Sequence, residues 1–374
     1  MSQKGQRFIR GCASNKSRES RTLLVCYTYQ RIMYDAEPLE AEDMERAVST
    51  GQLPSEQEIV AVVLEAYERY RELADGIIAD YIPALAKASA NLFAICLVGV
   101  RGGTFAVGDA DHPFSIQSIS KVFSFALVCE SIGYREARDR LGVNSTGLPF
   151  NSVMAIELNP DRTINPMVNA GAIATVSLVP GDSAAEKFAF IADGLSRFAG
   201  RGLLLDEDVY ESEAATNFRN RGIAHLLDSY GRMYCDPDVA TDTYTRQCAL
   251  AVTARDLGVM AATFADGGVN PITGERVISS DNCKRVLAVL ATAGLYERSG
   301  DWLFEVGLPG KSGVSGGMVT VSPGKGGLAT FSPPLDEAGN SVRGQRVTRY
   351  LSDRLGLNLF ASSAVPPNPE QELA

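Results

Sequence analysis

Strand patterns occur near both ends of the folded part of this chain, and a long helical stretch separates them. An apolar run at Leu92–Val100 is followed, after a glycine-containing turn, by a second stretch at Thr104–Val107, which is the pattern of a β-hairpin. A second pair of strand patterns occupies residues 316–321 and 328–331. Because these strands come as hairpins and not in βαβ alternation, we predict one antiparallel sheet that both ends of the chain complete. The predicted fold class is α/β, of the α+β type, with helices flanking the sheet and a helical part at about 118–300.

The domain organisation follows from composition and from the first helix signal. Hydrophobic residues make up 45% and charged residues 21% of the 374 residues, which is typical of a folded globular protein. A capping box at residues 55–58 predicts the start of a long amphipathic helix. We expect one domain at residues 51–358, whose sheet part lies at about 55–117 and 301–358.

Both termini are expected to lie outside that domain. Six basic side chains and one acidic side chain occur among the first 22 residues, which are rich in serine. We expect residues 1–50 to be a disordered extension, and a targeting presequence is the less favoured interpretation. Residues 359–374 contain several prolines and are expected to form a loose tail.

Charge and cysteine content exclude several classes of function. The net charge is −10, which disfavours binding to nucleic acid or to anionic lipid. No apolar run approaches the roughly 20 residues that span a bilayer. The seven cysteines include no CxxC pair, and the two histidines are His112 and His225, the latter expected to be a packed structural residue. We therefore predict no metal site, reduced thiols and a cytoplasmic location.

A Ser-x-x-Lys pair, Ser118 and Lys121, opens a predicted helix directly after a hairpin. Residues three apart share a helix face, so the hydroxyl and the amine can lie within hydrogen-bond reach. A desolvated lysine with a lowered pKa can accept the serine proton without any histidine. The first-turn position also leaves backbone N–H groups free to stabilise an oxyanion. By itself, however, such a pair is found on many exposed helices by chance.

The segment Lys311-Ser312-Gly313 follows about 190 residues downstream, directly before a predicted strand. Lys-Ser/Thr-Gly on a strand is the companion of Ser-x-x-Lys in penicillin-recognising serine enzymes, and two matched elements in this order are much rarer by chance. The same segment resembles the end of a phosphate-binding loop. That motif requires glycine where Glu305 stands, and a helix where a strand is predicted, so we reject an NTPase.

Polar residues in apolar surroundings lie between these two elements. Asn169 precedes a small-residue helical run and is either a helix cap or a ligand. Glu213 and Asn220 are seven apart on what we predict to be one helix face, for which a solvated surface is the default interpretation. Tyr244 and Tyr296 are each more commonly packing residues than catalytic ones. Local sequence leaves these alternatives open.

Six blocks of residues, taken in order, closely resemble the serine-dependent glutaminases of the β-lactamase-like superfamily. The blocks are residues 79–86, 114–121, 165–173, 212–220, 244–250 and 311–317. The resemblance covers roughly residues 55–358. It implies a fold like that of β-lactamases and penicillin-binding proteins, with an antiparallel sheet flanked by helices, a helical subdomain, and the active site between them.

The resemblance also implies roles for single residues. Ser118 matches the nucleophile and Lys121 the base, and we expect Tyr244 to pass a proton to the leaving nitrogen. The positions that match substrate contacts are Tyr81, Ser118, Asn169, Glu213, Asn220, Tyr244, Tyr296 and Val314. Two departures concern loop shape: residues 143–147 stand where relatives carry a Pro-Ser-Gly turn, and Asn217 replaces a commoner small residue.

The predicted reaction is hydrolysis of L-glutamine to L-glutamate and ammonia through a glutamyl-serine acyl-enzyme. We expect the oxyanion to lie between the backbone N–H groups of Ser118 and Val314, and Glu213 to pair with the α-ammonium, without metal or organic cofactor. The alternatives are a penicillin-type acyl-serine hydrolase and an amino-acid sensor that binds without turnover. Such enzymes commonly self-associate, so a homodimer or homotetramer is expected, with L-glutamine as the small-molecule partner and no nucleic acid or membrane.

Overall fold

The computed structural model describes residues 51–162 and 164–363. The predicted extension at residues 1–50 and residues 364–374 of the predicted tail lie outside the described residues. The strands of the described part are β1 (Ala94–Gly99), β2 (Thr104–Gly108), β3 (Phe114–Ser115), β4 (Leu204–Leu205), β5 (Leu250–Val252), β6 (Gly310–Ser312), β7 (Gly317–Ser322) and β8 (Gly326–Phe331). Five of them form the central sheet, in the order β2-β1-β8-β7-β6.

Strands from the two ends of the domain lie side by side in this sheet. Cys96 of β1 lies opposite Ala106 of β2 on one side and opposite Ala329 of β8 on the other, and both pairings are antiparallel. β8 then continues the sheet through antiparallel pairing with β7. The predicted antiparallel sheet, completed by both ends of the chain, is confirmed.

Helices make up most of the remaining described chain. They are α1 (Glu56–Tyr70), α2 (Ser120–Ile132), α3 (Tyr134–Leu141), α4 (Met154–Leu158), α5 (Asn169–Ser177), α6 (Ala184–Ala199), α7 (Glu207–Ala214), α8 (Phe218–Ser229), α9 (Pro237–Cys248), α10 (Ala254–Ala265), α11 (Ser280–Ala293), α12 (Ser299–Glu305) and α13 (Val342–Arg354). The predicted helix start at residues 55–58 is confirmed by its cap, and two further helices begin with complete capping boxes. Ser55 accepts a hydrogen bond from Glu58 N at 3.3 Å, and complete capping boxes stand at residues 183–186 and 253–256.

Helices α10 and α13 cover opposite faces of the central sheet. A Cβ on Gly327 of β8 would lie 2.3 Å from Ala262 N of α10, so only glycine permits this approach. On the other face, a Cβ on Gly344 of α13 would lie 2.7 Å from Thr330 Oγ1. Because successive side chains alternate along a strand, positions 327 and 330 face opposite sides. The sheet is therefore buried on both faces, which accounts for its near-continuous apolar strands.

A second sheet of three short strands, in the order β3-β5-β4, takes two of its strands, β4 and β5, from the part that we predicted as largely helical. It pairs Phe114 with Val252 and Leu204 with Ala251, both antiparallel. Strands of two or three residues are too short to show an alternating pattern, so the sequence did not indicate them. β3 leads directly into a 3-10 turn at Gln117–Ile119 and then into α2, so this small sheet fixes where that turn begins.

The described cysteines carry free thiols, as predicted. Cys96, Cys129, Cys248 and Cys283 are buried and Cys235 is half-buried, while Cys12 and Cys26 lie outside the described residues. The prediction for His225 is wrong, because its side chain is 59% exposed and points to solvent from α8. Within residues 51–162 and 164–363, no helix combines the length and apolarity that a membrane crossing requires.

Candidate active site

Ser118 lies in the 3-10 turn between β3 and α2 and is half-buried. The residue before it, Gln117, has φ of 50°, which a non-glycine side chain rarely adopts. Gln117 is itself buried and donates from Nε2 to Ser115 Oγ at 3.2 Å. A positive φ at a residue other than glycine persists only where surrounding contacts stabilise it. The contacts of Gln117 therefore help to fix the orientation of Ser118.

Lys121 lies one turn further along, and its ammonium group reaches back to the serine. Lys121 Nζ is 2.9 Å from Ser118 Oγ and 2.7 Å from Asn169 Oδ1. The lysine side chain is fully buried. Burial lowers the pKa of Lys121 from its ordinary value to about 8, although the negative charge of Glu213 acts in the opposite direction. A substantial fraction of this amine is therefore neutral, and able to accept a proton, near pH 8.

Asn169 connects three of the predicted site residues. Its Oδ1 accepts hydrogen bonds from Lys121 Nζ and, at 3.2 Å, from the Tyr244 hydroxyl, while its Nδ2 donates to Asn220 Oδ1 at 3.0 Å. Asn169 is the first residue of α5, and Val168 occupies the cap position without a side-chain cap bond. The interpretation of Asn169 as a helix cap is therefore wrong.

Glu213 and Asn220 do not share one helix face, contrary to our prediction. Glu213 is near the end of α7 and Asn220 near the start of α8, and the chain turns between them. The Thr216 hydroxyl donates to the carbonyl oxygens of Ser212 at 3.1 Å and of Glu213 at 3.3 Å, which favours the end of α7 there. The turn directs both residues inward, so the solvated-surface interpretation is also wrong.

The Glu213 carboxylate is buried without a full set of partners. The side chain is 8% exposed, and within the described residues its Oε2 has no hydrogen-bond partner. Burial raises the pKa of Glu213 to about 7, against the lowering effects of a hydrogen bond from Gln117 and of the charge on Lys121. An unpaired buried acceptor is costly, and the described residues supply no donor that offsets this cost.

Tyr244 and Tyr296 are buried, but both hydroxyls have polar partners, so packing alone does not describe them. Tyr296 has φ of 56° and lies in a 3-10 turn before α12. Its hydroxyl accepts from Lys311 Nζ at 2.9 Å, and a hydrogen bond with Ser118 lowers its pKa, although burial dominates and raises it. The pKa of Tyr296 thus depends on Ser118, whereas the Tyr244 hydroxyl donates to Asn169 Oδ1.

Lys311 is a second fully buried lysine at the same place. Its Nζ also donates to the carbonyl oxygen of Ser312 at 2.9 Å and lies 4.0 Å from the centre of the Tyr296 ring. Burial, and then the charge of Lys121, hold the pKa of Lys311 well below its ordinary value. The Lys-Ser-Gly motif signalled this residue. No sequence motif, in contrast, marked Gln117 as a site residue, apart from its position next to Ser118.

The last two predicted contacts lie at the edge of this group. Val314 is half-buried in the turn between β6 and β7, where Gly316 N donates to the carbonyl oxygen of Gly313 at 2.9 Å. A Cβ on Gly313 would lie 2.9 Å from the carbonyl oxygen of Ile116, so this turn packs against the segment that carries Ser118. Tyr81 is 55% exposed. Desolvation, and then the charge of Glu213, raise the pKa of Tyr81.

A model of the family described as Glutaminase matches residues 76–360. The chain belongs to the glutaminase family. Glutaminase 2 of Yersinia pestis is 59% identical over 315 residues, which cover 84% of this chain and 93% of that protein. The solved structure of a probable glutaminase, YbaS, matches with a TM-score of 0.81 and 45% identity over 83% of this chain and 100% of its own. A covalent complex between Bacillus subtilis glutaminase YbgJ and 5-oxo-L-norleucine matches with a TM-score of 0.74 and 33% identity, over 81% and 100% of the two chains.

Membership of the glutaminase family confirms the resemblance and the predicted fold class. The match begins ahead of β1 and ends after α13, so it includes both ends of the central sheet. It contains every predicted site residue. Within the described ranges, no group of three or more histidine, cysteine, aspartate or glutamate side chains is arranged to hold a metal ion.

Proposed function

We propose that this chain hydrolyses L-glutamine to L-glutamate and ammonia through a glutamyl ester on Ser118. The observation that carries the proposal is the 2.9 Å contact between Ser118 Oγ and the fully buried Lys121 Nζ. The family supports the same substrate. The covalent adduct of the Bacillus subtilis relative with 5-oxo-L-norleucine supports a nucleophilic route for this chain as well.

In the first half of the proposed reaction, neutral Lys121 accepts the Ser118 proton while Oγ attacks the side-chain carboxamide carbon. The carbonyl oxygen becomes an oxyanion, which we place between the backbone N–H groups of Ser118 and Val314. One such donor typically contributes about 3 kcal/mol of barrier lowering. The carbon–nitrogen bond then breaks, and the nitrogen leaves as ammonia after it has received a proton.

In the second half, Lys121 first passes the proton that it took from Ser118 to the group that protonated the leaving nitrogen. Lys121 is then neutral again, and it serves as the base when water attacks the glutamyl ester. Addition of the water oxygen forms a second oxyanion in the same place. Its collapse releases L-glutamate and returns the proton to Ser118 Oγ. The chain thus regains its starting protonation state at the end of each cycle.

The proton for the leaving nitrogen is proposed to come from Tyr296, in place of our sequence-based choice of Tyr244. Burial raises the pKa of Tyr296 and a side-chain interaction with Ser118 lowers it, while Lys311 Nζ donates to the Tyr296 hydroxyl at 2.9 Å. We expect Tyr296→Phe to lower kcat by about 10²- to 10³-fold. Tyr244→Phe removes one of the hydrogen bonds to Asn169 and should cost about tenfold or less. Steady-state kinetics of both variants decide between them, and a larger loss in Tyr244→Phe would restore the original assignment.

Recognition of the amino-acid end of the substrate is proposed to rest on Glu213. Its free Oε2 can accept from the α-ammonium of glutamine, and this pairing would satisfy an acceptor that the protein leaves open. Asn169, Asn220 and the tyrosine hydroxyls supply neutral donors for the α-carboxylate. A fixed carboxylate beside the ammonium would reject amides that lack one.

Glu213→Gln is expected to lower kcat/KM for glutamine by about 10²-fold, which corresponds to roughly 3 kcal/mol for a charge-assisted bond. The ratio of kcat/KM between glutamine and its N-acetyl derivative should narrow, because the derivative cannot make the lost bond. Because Glu213 ionises near pH 7, the deficit of the variant should grow between pH 6 and pH 8. An unchanged ratio would contradict the assignment.

Stability provides the control for that variant. The folded pKa of Glu213, about 7, lies above its unfolded value of 4.5, so ionisation destabilises the fold as pH rises from the lower to the higher value. The difference amounts to about 3 kcal/mol as an order of magnitude. Glu213→Gln should therefore melt at a higher temperature than the wild type at pH 8. The two melting temperatures should converge near pH 4, where both states carry a neutral side chain.

The overall proposal is tested by turnover of glutamine, asparagine and a chromogenic cephalosporin side by side, measured as glutamate formation, aspartate formation and colour change respectively. Turnover of glutamine, with little or none of the other two, is expected. Cephalosporin turnover would instead favour the penicillin-type alternative, and glutamine binding without glutamate formation would favour a sensor. We further propose a cytoplasmic protein that forms a homodimer or homotetramer. The free thiols support the location and the resemblance supports the assembly.

A further inference from the structure

The loop after β8, residues 332–341, lies behind the turn that carries Val314. Ser332 N donates to the carbonyl oxygen of Gly316 at 3.0 Å, which joins the loop to the far end of the turn. A Cβ on Gly339 would lie 3.5 Å from Val314 Cγ1, so the loop also touches the side chain at the centre of the turn. The turn therefore has the Ser118 segment on one side and this loop on the other.

Asn340 is the residue of this loop that reaches the strand before the turn. Ser312 Oγ donates to Asn340 Oδ1 at 2.5 Å, and both side chains are buried. The backbone around Asn340 is held by Asp336: Asn340 N donates to Asp336 Oδ1 at 2.9 Å, and Asp336 N donates to the Asn340 carbonyl oxygen at 2.8 Å. Gln345 fixes the other carboxylate oxygen from Nε2 at 2.9 Å. Two hydrogen bonds between Asn340 and Asp336 thus close a ring that fixes the backbone from which the Asn340 amide projects.

β6 needs such support because it is a three-residue strand at the edge of the sheet. It pairs with β7 on one side only. Lys311 and Ser312 point to opposite faces, since side chains alternate along a strand, so Ser312 is the anchor on the face away from Tyr296. Gly313, which follows, has no side chain. Ser312 is consequently the last side chain that can fix the strand before Val314.

The Asn340 side chain makes the bond to Ser312 through Oδ1 but leaves its Nδ2 without a partner among the described residues. Asn340 is fully buried. A buried donor without a partner destabilises a fold, so a residue selected for stability alone would not leave one. We therefore attribute the presence of an asparagine here to the hydrogen bond that its Oδ1 accepts from Ser312.

We propose that Asn340 is a positioning residue, which acts through Ser312 to hold the Val314 backbone N–H at its place beside Ser118. This inference rests on the proposed function, in which that N–H stabilises the oxyanion. It predicts a defect in the chemical step and not in substrate binding, because neither Asn340 nor Ser312 belongs to the groups placed around the amino-acid end of glutamine.

The test is a double-mutant cycle with Asn340→Ala, Ser312→Ala and the pair together. We expect each single variant to lower kcat by about tenfold or more while KM for glutamine and the Kd for glutamate change by less than about twofold. Because both act through one bond, the double variant should be about as slow as the slower single variant. Asn340→Asp, which keeps an acceptor for Ser312, should retain more activity than Asn340→Ala.

Thr348→Val is the matched control. Thr348 Oγ1 donates to the Gly344 carbonyl oxygen at 2.7 Å within α13, so this variant also loses a buried hydrogen bond in the same region without touching the turn. It should lower the melting temperature and leave kcat unchanged. Unchanged kcat in Asn340→Ala, additive losses in the double variant, or an equal kcat loss in Thr348→Val would each overturn the proposal. Absence of glutamine turnover by the wild type, measured in parallel, would instead reject the proposed function.

Discussion

Ser118→Ala should reduce glutamine turnover by at least about 10⁴-fold, because the hydroxyl forms the covalent bond to substrate in the proposed route. The protein should stay folded. Ser118 is half-buried, the change leaves at most a small void, and Lys121 Nζ keeps Asn169 Oδ1 as an acceptor. Glutamine should still bind, since the proposed contacts to its amino-acid end remain. Calorimetric titration of the variant with glutamine, beside a glutamate-formation assay, measures both expectations.

A serine near the end of α2, the helix that follows the Ser118 turn, provides the control. Ser131 Oγ donates to the Leu127 carbonyl oxygen at 2.8 Å near the end of α2. Ser131→Ala should change the melting temperature slightly and leave kcat at the wild-type value. Glutamate formation at the wild-type rate by a folded Ser118→Ala variant would show that the covalent step belongs to another group.

The sequence predicted the elements that are long enough to show a recognisable residue pattern over their whole length. Strands of five or six residues, such as β1 and β8, show continuous burial over their whole length, and helix starts carry capping residues three positions apart. β3, β4 and β5 are two or three residues long and lie among helices. Their pairing depends on partners more than 40 residues away, so no local pattern marks them.

The candidate site also contains residues that local spacing predicts and residues that only tertiary packing brings together. Ser118 and Lys121 could be paired from the sequence because a spacing of three residues brings two side chains together both in a 3-10 turn and in the first turn of the helix that follows it. Glu213 and Asn220 were predicted to share one helix face, whereas they lie on two helices and the turn between α7 and α8 carries them inward. Asn340 meets Ser312 across 28 positions of the chain. Tertiary packing determines such a contact, and no regular residue spacing in the sequence predicts it.

Two buried lysines at one site raise the question of which one is the base. Lys121 Nζ and Lys311 Nζ lie on either side of Tyr296, 5.6 Å and 4.0 Å from its ring centre. Lys121 contacts Ser118, whereas Lys311 contacts the Tyr296 hydroxyl. Two neighbouring positive charges repel each other, so loss of a proton from either one favours the charged form of the other. The contact with Ser118 is the reason that Lys121 is the proposed acceptor of the serine proton.

Lys121→Met and Lys121→Arg should both lower kcat/KM by about 10³-fold or more, because neither side chain can accept the serine proton at neutral pH. The two variants complement each other. Methionine removes the buried charge with little change in shape, and arginine keeps the charge but cannot lose its proton. A defect shared by both therefore reports the missing base. Lys187→Met is the matched control, since Lys187 is also buried but donates to the Ser177 carbonyl oxygen at 3.3 Å, at the end of α5.

The pH profile separates loss of a base from loss of structure. With the pKa of Lys121 at about 8, its neutral fraction rises about fivefold between pH 7 and pH 8, and kcat of the wild type should rise with it and level off above that value. Below pH 7, kcat/KM should fall more steeply than kcat, because protonation of Glu213 then weakens binding as well. Lys187→Met should keep this profile even where its melting temperature falls. Lys121→Met should lose the rise in kcat between pH 7 and pH 8, and a residual activity that kept the rise would assign the titrating base to Lys311 instead.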